Sequence, residues 1–330
     1  MKKKVRVLSG MRPTGRLHLG HLSGVLSEWL RLQEECQCFF MVADLHALMS
    51  EYKNSSSLKE IIYDNLADWL SWGISPEKAV VFVQSDVPEH MELFITLSLI
   101  TPLGWLYRCP SFKEQMQQLR SKEINTYAFL GYPLLQTADI IIYKAEKVPV
   151  GQDQLPHLEL AREVVRRFHT LYGCNIFPQP QPIVSKAPKL LGVDGRKMSN
   201  SYNNCIYLSE DDAGIREKIE QMVTDPQRIH KTDMGHPEVC SVFNYYSVFF
   251  PQKRQEVEEW CRNAARGCRE CKRILAELFQ EKFFQVRKLK ARLLKEKAYL
   301  EDILSKGSAR ARKVAAETMQ EVNKILGYKL

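Results

Sequence analysis

The sequence predicts an α/β fold, with a parallel sheet in the first 208 residues, followed by an all-helical region. Short apolar runs alternate with amphipathic helical segments as far as Ser209. Such alternation is typical of a parallel sheet with helices on its faces. Beyond Ser209, strand-like runs give way to long helical patterns. Two domains are therefore expected, over residues 1–208 and 209–330.

Four short apolar runs are predicted to be strands. They cover residues 5–8, 38–42, 80–83 and 148–150. Helices are predicted from Leu19 onward, over 58–72 and over 155–171, because apolar side chains recur there at helical spacing. Ligands of parallel sheets bind beyond the carboxyl ends of the strands. The residues that follow the predicted strands are therefore the candidate functional residues.

The second region is predicted to contain four helices, over residues 210–223, 241–263, 268–298 and 299–326. The first begins at Ser209 and has three acidic residues in its opening turn. A serine cap followed by acids suits the positive amino end of a helix.

The positive charge of the chain is concentrated near its end. The formal net charge is +8, yet residues 251–330 alone contain 20 basic and 11 acidic side chains, a net of +9. A polyanionic partner that meets this end of the molecule is one interpretation. An exposed helical face that is basic without such a partner is the other.

Composition excludes several classes of protein. An apolar content of 45% is enough for a packed core and argues against disorder. No apolar run approaches the roughly 18 residues of a membrane span, and the first residues do not form a secretory signal. A cytoplasmic protein without membrane association is predicted, so the nine cysteines are not expected to form a disulfide framework.

Two polar segments contain residue types that suit phosphate chemistry. The first, residues 13–21 (PTGRLHLGH), follows the first predicted strand and opens a helix. Its two histidines could flank a phosphate chain, and the helix amino end adds positive potential. The second, residues 194–201 (DGRKMSNS), is a loop whose lysine could reach a triphosphate. Taken singly, the first could be a helix start with incidental histidines and the second a solvated loop.

Together the two segments resemble the His-Ile-Gly-His and Lys-Met-Ser-Lys-Ser signatures of class I aminoacyl-tRNA synthetases. Residues 131–143 (GYPLLQTADIIIY) and 148–160 (VPVGQDQLPHLEL) are similar to the tryptophanyl and tyrosyl branch of that class. Residues 9–15 (SGMRPTG) and 43–48 (ADLHAL) strengthen the likeness to tryptophanyl-tRNA synthetases. The resemblance implies a Rossmann-type nucleotide-binding domain, then a helical domain that reads the tRNA anticodon.

The resemblance also implies a reaction and a set of site residues. Tryptophan and ATP, with Mg²⁺, would give tryptophanyl-adenylate and diphosphate, and the acyl group would pass to tRNA(Trp) on a homodimer. His18, His21 and Lys197 are the expected catalytic residues. The residues expected to bind ATP are Arg12, Gly20, His21, Gly151, Asp153, Lys197, Met198 and Ser199. The second lysine of the signature is replaced by Asn200, so Lys197 would have to supply more of the positive charge at the triphosphate.

The same resemblance assigns a tryptophan site. Tyr132 and Gln154 match the family's ligands for the α-amino group, and Asp139 matches the acceptor for the indole N–H. Asp139 precedes three isoleucines, where an acid without a hydrogen-bond donor would be costly. The full set expected to bind tryptophan is Leu8, Gly10, His46, Tyr132, Gln136, Asp139, Val150 and Gln154.

Three other activities compete with this interpretation. Tyrosyl enzymes use a similar Tyr–Gln–Asp arrangement, but they tend to place a tyrosine on the first strand, where this chain has Val7-Leu8-Ser9-Gly10. A nucleotidyltransferase without tRNA would share the first signature but would lack the second and the basic helical region. A binding module that has lost its chemistry is the third alternative, because of Asn200.

Four cysteines cluster near the start of the basic region. Cys240, Cys261, Cys268 and Cys271 fall within 32 residues, with 20, 6 and 2 residues between them. Four thiolates so grouped suit zinc or a [4Fe–4S] cluster, and unligated helix cysteines are the alternative. A subset of bacterial tryptophanyl enzymes resembles this spacing and binds [4Fe–4S], so an iron–sulfur cluster is expected, with zinc as the second choice.

Overall fold

The computed structural model describes residues 4–109, 125–184 and 190–327, and a parallel sheet lies at its centre. Its strands are β1 (Arg6–Met11), β2 (Gln37–Val42), β3 (Ala79–Val83), β4 (Lys147–Val150) and β5 (Gln181–Val184). They are ordered β3-β2-β1-β4-β5, and every neighbouring pair is parallel. The predicted α/β fold class is confirmed.

The sequence pattern missed one strand, β5. Its residues are Gln-Pro-Ile-Val, and Pro182 has no N–H to give to a ladder. The strand pairs only with β4 and lies at the edge of the sheet. Edge strands tolerate proline, so a short proline-containing run is a weak strand signal.

Helices cover the sheet and connect its strands. Those before β5 are α1 (Leu19–His21), α2 (Ser27–Glu35), α3 (Asp44–Glu51), α4 (Leu58–Ser71), α5 (Glu89–Ser98), α6 (Leu103–Tyr107), α7 (Tyr127–Ile142) and α8 (Leu155–Tyr172). A π-helical segment, Leu22–Leu26, joins α1 to α2. None of the helices within the described ranges is both long and apolar enough to cross a bilayer.

The region after Ser209 is helical, as predicted, but two predicted boundaries are wrong. The first helix begins at Asp212 and is capped by Asp211, whose carboxylate accepts from the Gly214 N–H, and not by Ser209. The helices are α9 (Asp212–Gln221), α10 (Ser241–Phe249), α11 (Arg254–Arg262), α12 (Cys268–Lys295) and α13 (Lys297–Leu326). The single helix predicted over 241–263 is two helices, α10 and α11, with a 3-10 turn from Pro251 between them. Proline cannot continue the i→i−4 hydrogen-bond pattern, so α10 ends before it.

The last helix, α13, returns to the sheet and covers β3. A side-chain carbon at Gly307 would lie 1.7 Å from the Val81 carbonyl oxygen, so helix and strand meet backbone to backbone. Next to it, the Ser308 hydroxyl donates to Asp86 at 3.0 Å. The chain therefore ends against the sheet on which it begins. Whether residues 1–208 and 209–330 behave as two domains stays a prediction.

Candidate active site

A cavity of about 330 Å³ opens at the carboxyl edge of the sheet, beside helix α7. The ends of β1, β2 and β4 form its floor. A side-chain carbon at Gly10 would lie 3.1 Å from the Met41 methyl group, so glycine keeps this floor open. All eight residues predicted to bind tryptophan line this cavity: Leu8, Gly10, His46, Tyr132, Gln136, Asp139, Val150 and Gln154.

Asp139 supplies a buried carboxylate to the cavity, and only 2% of its surface is exposed. Its Oδ1 accepts from Gln84 Nε2 at 2.8 Å and lies 2.6 Å from His90 Nδ1, while its Oδ2 lies 2.7 Å from His46 Nε2. Burial alone would raise the pKa of Asp139, but hydrogen bonds from His46 and His90 lower it to about 2. The acid is therefore an ionised hydrogen-bond acceptor at neutral pH.

Tyr132 and Gln154 face the same cavity from the start of α7 and from the turn before α8. The Tyr132 hydroxyl lies 3.0 Å from Nε2 of His157, which is buried at the start of α8. Gln154 contacts the other nitrogen of that ring. These contacts fix the orientation of both cavity-facing side chains.

The two histidines of the first signature are held as neutral hydrogen-bond donors. The Gly20 N–H donates to His18 Nδ1 and the His18 N–H donates to His21 Nδ1, both at 3.1 Å. With each Nδ1 used as an acceptor, the ring proton of each histidine is on Nε2. Burial and the neighbouring His21 lower the pKa of His18 to about 3, and burial lowers that of His21 to about 4.

The structure brings the second signature beside the first. The Leu19 N–H donates to the Ile206 carbonyl at 2.9 Å, which joins the first signature to the residues that follow the second. The Met198 sulfur lies 3.6 Å from where a side-chain carbon of Gly20 would be. Asn200, which replaces the expected lysine, donates to the Arg16 carbonyl at 3.3 Å. The asparagine therefore holds the two loops together where the signature has a cation.

Asn204 fixes the shape of the second signature. It is buried, and its Oδ1 accepts from the Ser199 N–H at 2.9 Å. Its Nδ2 donates to the Lys197 carbonyl at 3.1 Å and to Asp194 Oδ1 at 2.8 Å. The loop backbone is thereby fixed while the Lys197 side chain remains exposed.

The residues predicted to bind ATP are divided between the cavity and the two signatures. Arg12 and Gly151 line the cavity. Asp153 lies two residues after Gly151, and its Oδ1 would lie 2.6 Å from a side-chain carbon at Gly151, so this carboxylate folds back over the end of the strand. The remaining members lie in the two signatures: Gly20, His21, Lys197, Met198 and Ser199.

The four clustered cysteines line one small cavity in the helical region. Burial raises the pKa of Cys240 and Cys261, and raises that of Cys271 to about 12. Within the described ranges, no three His, Cys, Asp or Glu side chains stand in a metal-binding arrangement. The structure thus gathers the thiols but does not confirm a metal centre.

Comparison with known proteins identifies the family. The family model described as class I tRNA synthetases for tryptophan and tyrosine matches residues 1–285. A tryptophan–tRNA ligase of Thermotoga maritima is 45% identical over 98% of this chain and 99% of its own length. This chain belongs to the tryptophan–tRNA ligase family. A ligase of Aquifex aeolicus is 39% identical, over 98% of this chain and 99% of its own.

Solved structures of tryptophanyl-tRNA synthetases are similar to this chain, which agrees with its membership of the tryptophan–tRNA ligase family. The tryptophanyl-tRNA synthetase of Campylobacter jejuni, complexed with ADP and tryptophan, has a TM-score of 0.89 and 33% identity. The similarity covers 98% of this chain and all of that one. A tyrosyl-tRNA synthetase of Archaeoglobus fulgidus has a TM-score of 0.70 at 20% identity and shares the fold alone.

Sequence reasoning missed several residues that shape the candidate site. Gln84 and His90 follow β3 and reach Asp139 across the sheet edge, His157 joins Tyr132 to Gln154, and Asn204 holds the second signature. One signal was present in the sequence: Asp139 precedes three isoleucines, and a buried acid needs hydrogen-bond donors. This signal predicted that donors contact Asp139 but did not identify the residues that supply them.

Proposed function

We propose that the chain activates L-tryptophan with ATP and transfers the tryptophanyl group to tRNA(Trp). The observation that carries the proposal is the cavity that contains the ionised carboxylate of Asp139 and is lined by Arg12, which directly precedes the first signature. An apolar ring with one N–H donor fits a pocket with apolar walls and one buried acceptor. The full-length similarity to tryptophan–tRNA ligases supports the same activity.

The tyrosyl alternative is disfavoured by the floor of the cavity. On β1, the cavity is lined by Leu8, Ser9, Gly10 and Met11. No phenol hydroxyl on that strand faces the ligand, whereas tyrosyl enzymes tend to place one there. Asp139 would accept from indole N–H or phenol O–H alike, so the shape of the floor and not the acid favours tryptophan.

The first step is attack by the tryptophan carboxylate on the α-phosphorus of ATP. A carboxylate oxygen–phosphorus bond forms, and the bond from that phosphorus to the leaving diphosphate breaks. The carboxylate is already a nucleophile and no proton moves, so no general base is needed. Catalysis then depends on positioning and on stabilising the charge of the leaving diphosphate.

His18, His21 and Lys197 would stabilise that charge. Both histidines present Nε2–H donors, because each Nδ1 already accepts a backbone N–H. Lys197 supplies a positive charge from a loop whose backbone Asn204 holds. Mg²⁺ bound to the triphosphate would neutralise part of its negative charge. Asp153, folded over Gly151, is proposed to bind the ribose hydroxyls.

Cys240, Cys261, Cys268 and Cys271 are proposed to hold a [4Fe–4S] cluster, with zinc as the alternative. Four sulfur donors that line one cavity fit either group by chemistry. As thiolates they would hold the group and fix the ends of α10, α11 and α12 relative to one another. This role is structural, and no step of the reaction passes through it.

The helical region is proposed to bind the tRNA. Basic side chains surround the cysteine cavity, and the cavity lining includes Arg228 and Arg266. Arg262, Arg269, Lys272 and Arg273 lie on the helices that carry the cysteines. A fixed, positively charged surface suits a phosphate backbone. Reading of the anticodon by residues 209–330 stays a prediction.

A homodimer is proposed through the outer face of α5 and α6. Met91, Ile95 and Leu99 follow one another at four-residue spacing, and Leu99 is 77% exposed. Leu103 and Tyr107 on α6 are also apolar, and each is more than half exposed. Exposed apolar side chains grouped in this way are typical of a subunit interface. The cytoplasmic location stays a prediction.

Amino-acid-dependent exchange of diphosphate into ATP tests the proposed function. Exchange with tryptophan and not with tyrosine is expected, followed by charging of tRNA(Trp). Exchange with tyrosine alone would make the chain a tyrosyl enzyme. Exchange with neither amino acid would favour a nucleotidyltransferase or an inactive binding module.

A further inference from the structure

A chain of hydrogen bonds runs from the tryptophan cavity to the proposed ribose side of the site. The Tyr132 hydroxyl lies 3.0 Å from His157 Nε2, and His157 Nδ1 lies 2.8 Å from Gln154 Oε1. Gln154 Nε2 in turn donates to Asp153 Oδ2 at 2.8 Å. Three of these residues belong to the predicted site, and the fourth, His157, has no assigned role.

Donor and acceptor chemistry gives this chain one direction. A carboxylate only accepts, so the Gln154 amide nitrogen must face Asp153 and its oxygen must face His157. An amide oxygen only accepts, so the His157 proton is on Nδ1. Nε2 is then an acceptor, and the Tyr132 O–H donates to it. Burial lowers the pKa of His157 to about 4, which keeps the ring neutral and this direction fixed at neutral pH.

The direction decides what Tyr132 and Gln154 can offer a ligand. The Tyr132 proton is used on His157, so its oxygen meets a ligand only as an acceptor. The Gln154 oxygen accepts from His157 with one lone pair and has a second. Both residues line the cavity. Two acceptor oxygens suit a protonated amine.

We propose that His157 is a positioning residue that makes Tyr132 and Gln154 acceptors for the α-ammonium group of the amino acid. This inference rests on the proposed function and adds the residue that orients its amine site. His157 itself does not line the cavity and is only 1% exposed. Without its ring, Tyr132 could turn its O–H toward the cavity and oppose the ammonium group.

Three ligands separate this role from a purely structural one. Tryptophan has the ammonium and the carboxylate, tryptamine has only the ammonium, and indole-3-propionate has only the carboxylate. In His157→Phe, which keeps a ring of similar shape, we expect the Kd of tryptophan and tryptamine to rise about tenfold or more. The Kd of indole-3-propionate should change less than twofold. Equilibrium dialysis of the full-length protein measures all three.

Two further variants complete the experiment. His157→Asn retains a donor toward Gln154, and we expect an intermediate loss for the two amines. In the double variant Tyr132→Phe with His157→Phe, the combined loss should be smaller than the sum of the two single losses, because His157 has no hydroxyl left to orient at position 132 and acts only through Gln154. His169→Phe, on the same helix but outside the cavity lining, is the matched control and should leave all three Kd values unchanged.

The outcomes distinguish the inference from the proposed function. An equal rise of all three Kd values, or no rise in any, in His157→Phe and His157→Asn would overturn the role of His157. If His157→Phe does not fold, His157→Asn decides by the same pattern. Absence of tryptophan-dependent diphosphate exchange in the unmodified protein would instead overturn the proposed function.

Discussion

Replacing Asp139 by asparagine tests how the site recognises the indole ring. The carboxylate already accepts from Gln84 and lies within hydrogen-bond distance of His90 and His46. In Asp139→Asn the oxygen can keep the Gln84 and His90 contacts, which turns the amide N–H₂ toward His46 and the indole. A donor would then face a donor, and the indole N–H would lose its acceptor.

The size of the effect follows from the charge of the lost acceptor. A hydrogen bond to an ionised group contributes about 1.5–3 kcal/mol, which is roughly 10- to 150-fold in kcat/KM. An analogue that has sulfur in place of the ring N–H, 3-benzothienylalanine, makes no such bond. The ratio of kcat/KM for tryptophan to that for the analogue should therefore fall by this factor, as measured by diphosphate exchange.

The matched control is Asp44→Asn, a buried acid outside the cavity lining that accepts from Ser85. It should lower stability without changing the ratio. Because the pKa of Asp139 is depressed to about 2, its carboxylate is ionised throughout pH 5–8 and is lost only as pH falls toward 2. The wild-type ratio should be flat over pH 5–8. If Asp139→Asn slows both substrates equally, the assignment of Asp139 to the indole is refuted.

Three further changes test other parts of the structure. Lys197→Ala should lower diphosphate exchange by about 10²–10³ with tryptophan binding unchanged in dialysis, and near-normal turnover would exclude the charge-stabilising role. Cys268→Ser should reduce tRNA charging more than diphosphate exchange. Iron and sulfide analysis of the unmodified protein, purified without oxygen, should find a cluster. Stoichiometric zinc without iron would exclude [4Fe–4S]. Gly307→Ala should lower the free energy of unfolding by about 1–3 kcal/mol, because its methyl group would meet the Val81 carbonyl. Gly104→Ala is the control, since position 104 has open space around it. Equal urea midpoints for Gly307→Ala and the unmodified protein would contradict the close packing of α13 on β3.

Local patterns in the sequence predicted four of the five strands, and the resemblance of short motifs to a known family predicted the cavity residues. Alternating strands and helices place polar residues at one sheet edge. His90 and Gln84 were missed because they reach Asp139 only through the order β3-β2-β1 and the packing of α5 on α7. Nothing within a few residues of His90 indicates a partner 49 positions away. Contacts of this range become visible only when the fold is known.

The charge distribution is a second case in which the sequence could not show which residues contact one another in the fold. The net +9 of residues 251–330 suggested a surface for a polyanion. Part of that charge, however, is used inside the molecule. Lys290 is only 4% exposed and lies 2.7 Å from Asp64 and 2.9 Å from Asp68, both on α4. Lys297 contacts Glu60 at 2.8 Å on the same helix.

These ion pairs hold the second half of the chain against the first. Lys290 is on α12 and its acidic partners are on α4, so the contact joins the helical region to the α/β region. Burial raises the pKa of Asp68 to about 7, although the Lys290 charge opposes this. Lys290 therefore stabilises the packing of α12 on α4 and is too buried to contact a nucleic acid. The charge available to tRNA is therefore smaller than the sequence total. Around the cysteine cavity, Arg262, Arg266 and Arg273 also pair with acidic side chains, but these pairs lie at the surface, and their positive charges are the ones expected to make the binding salt-dependent.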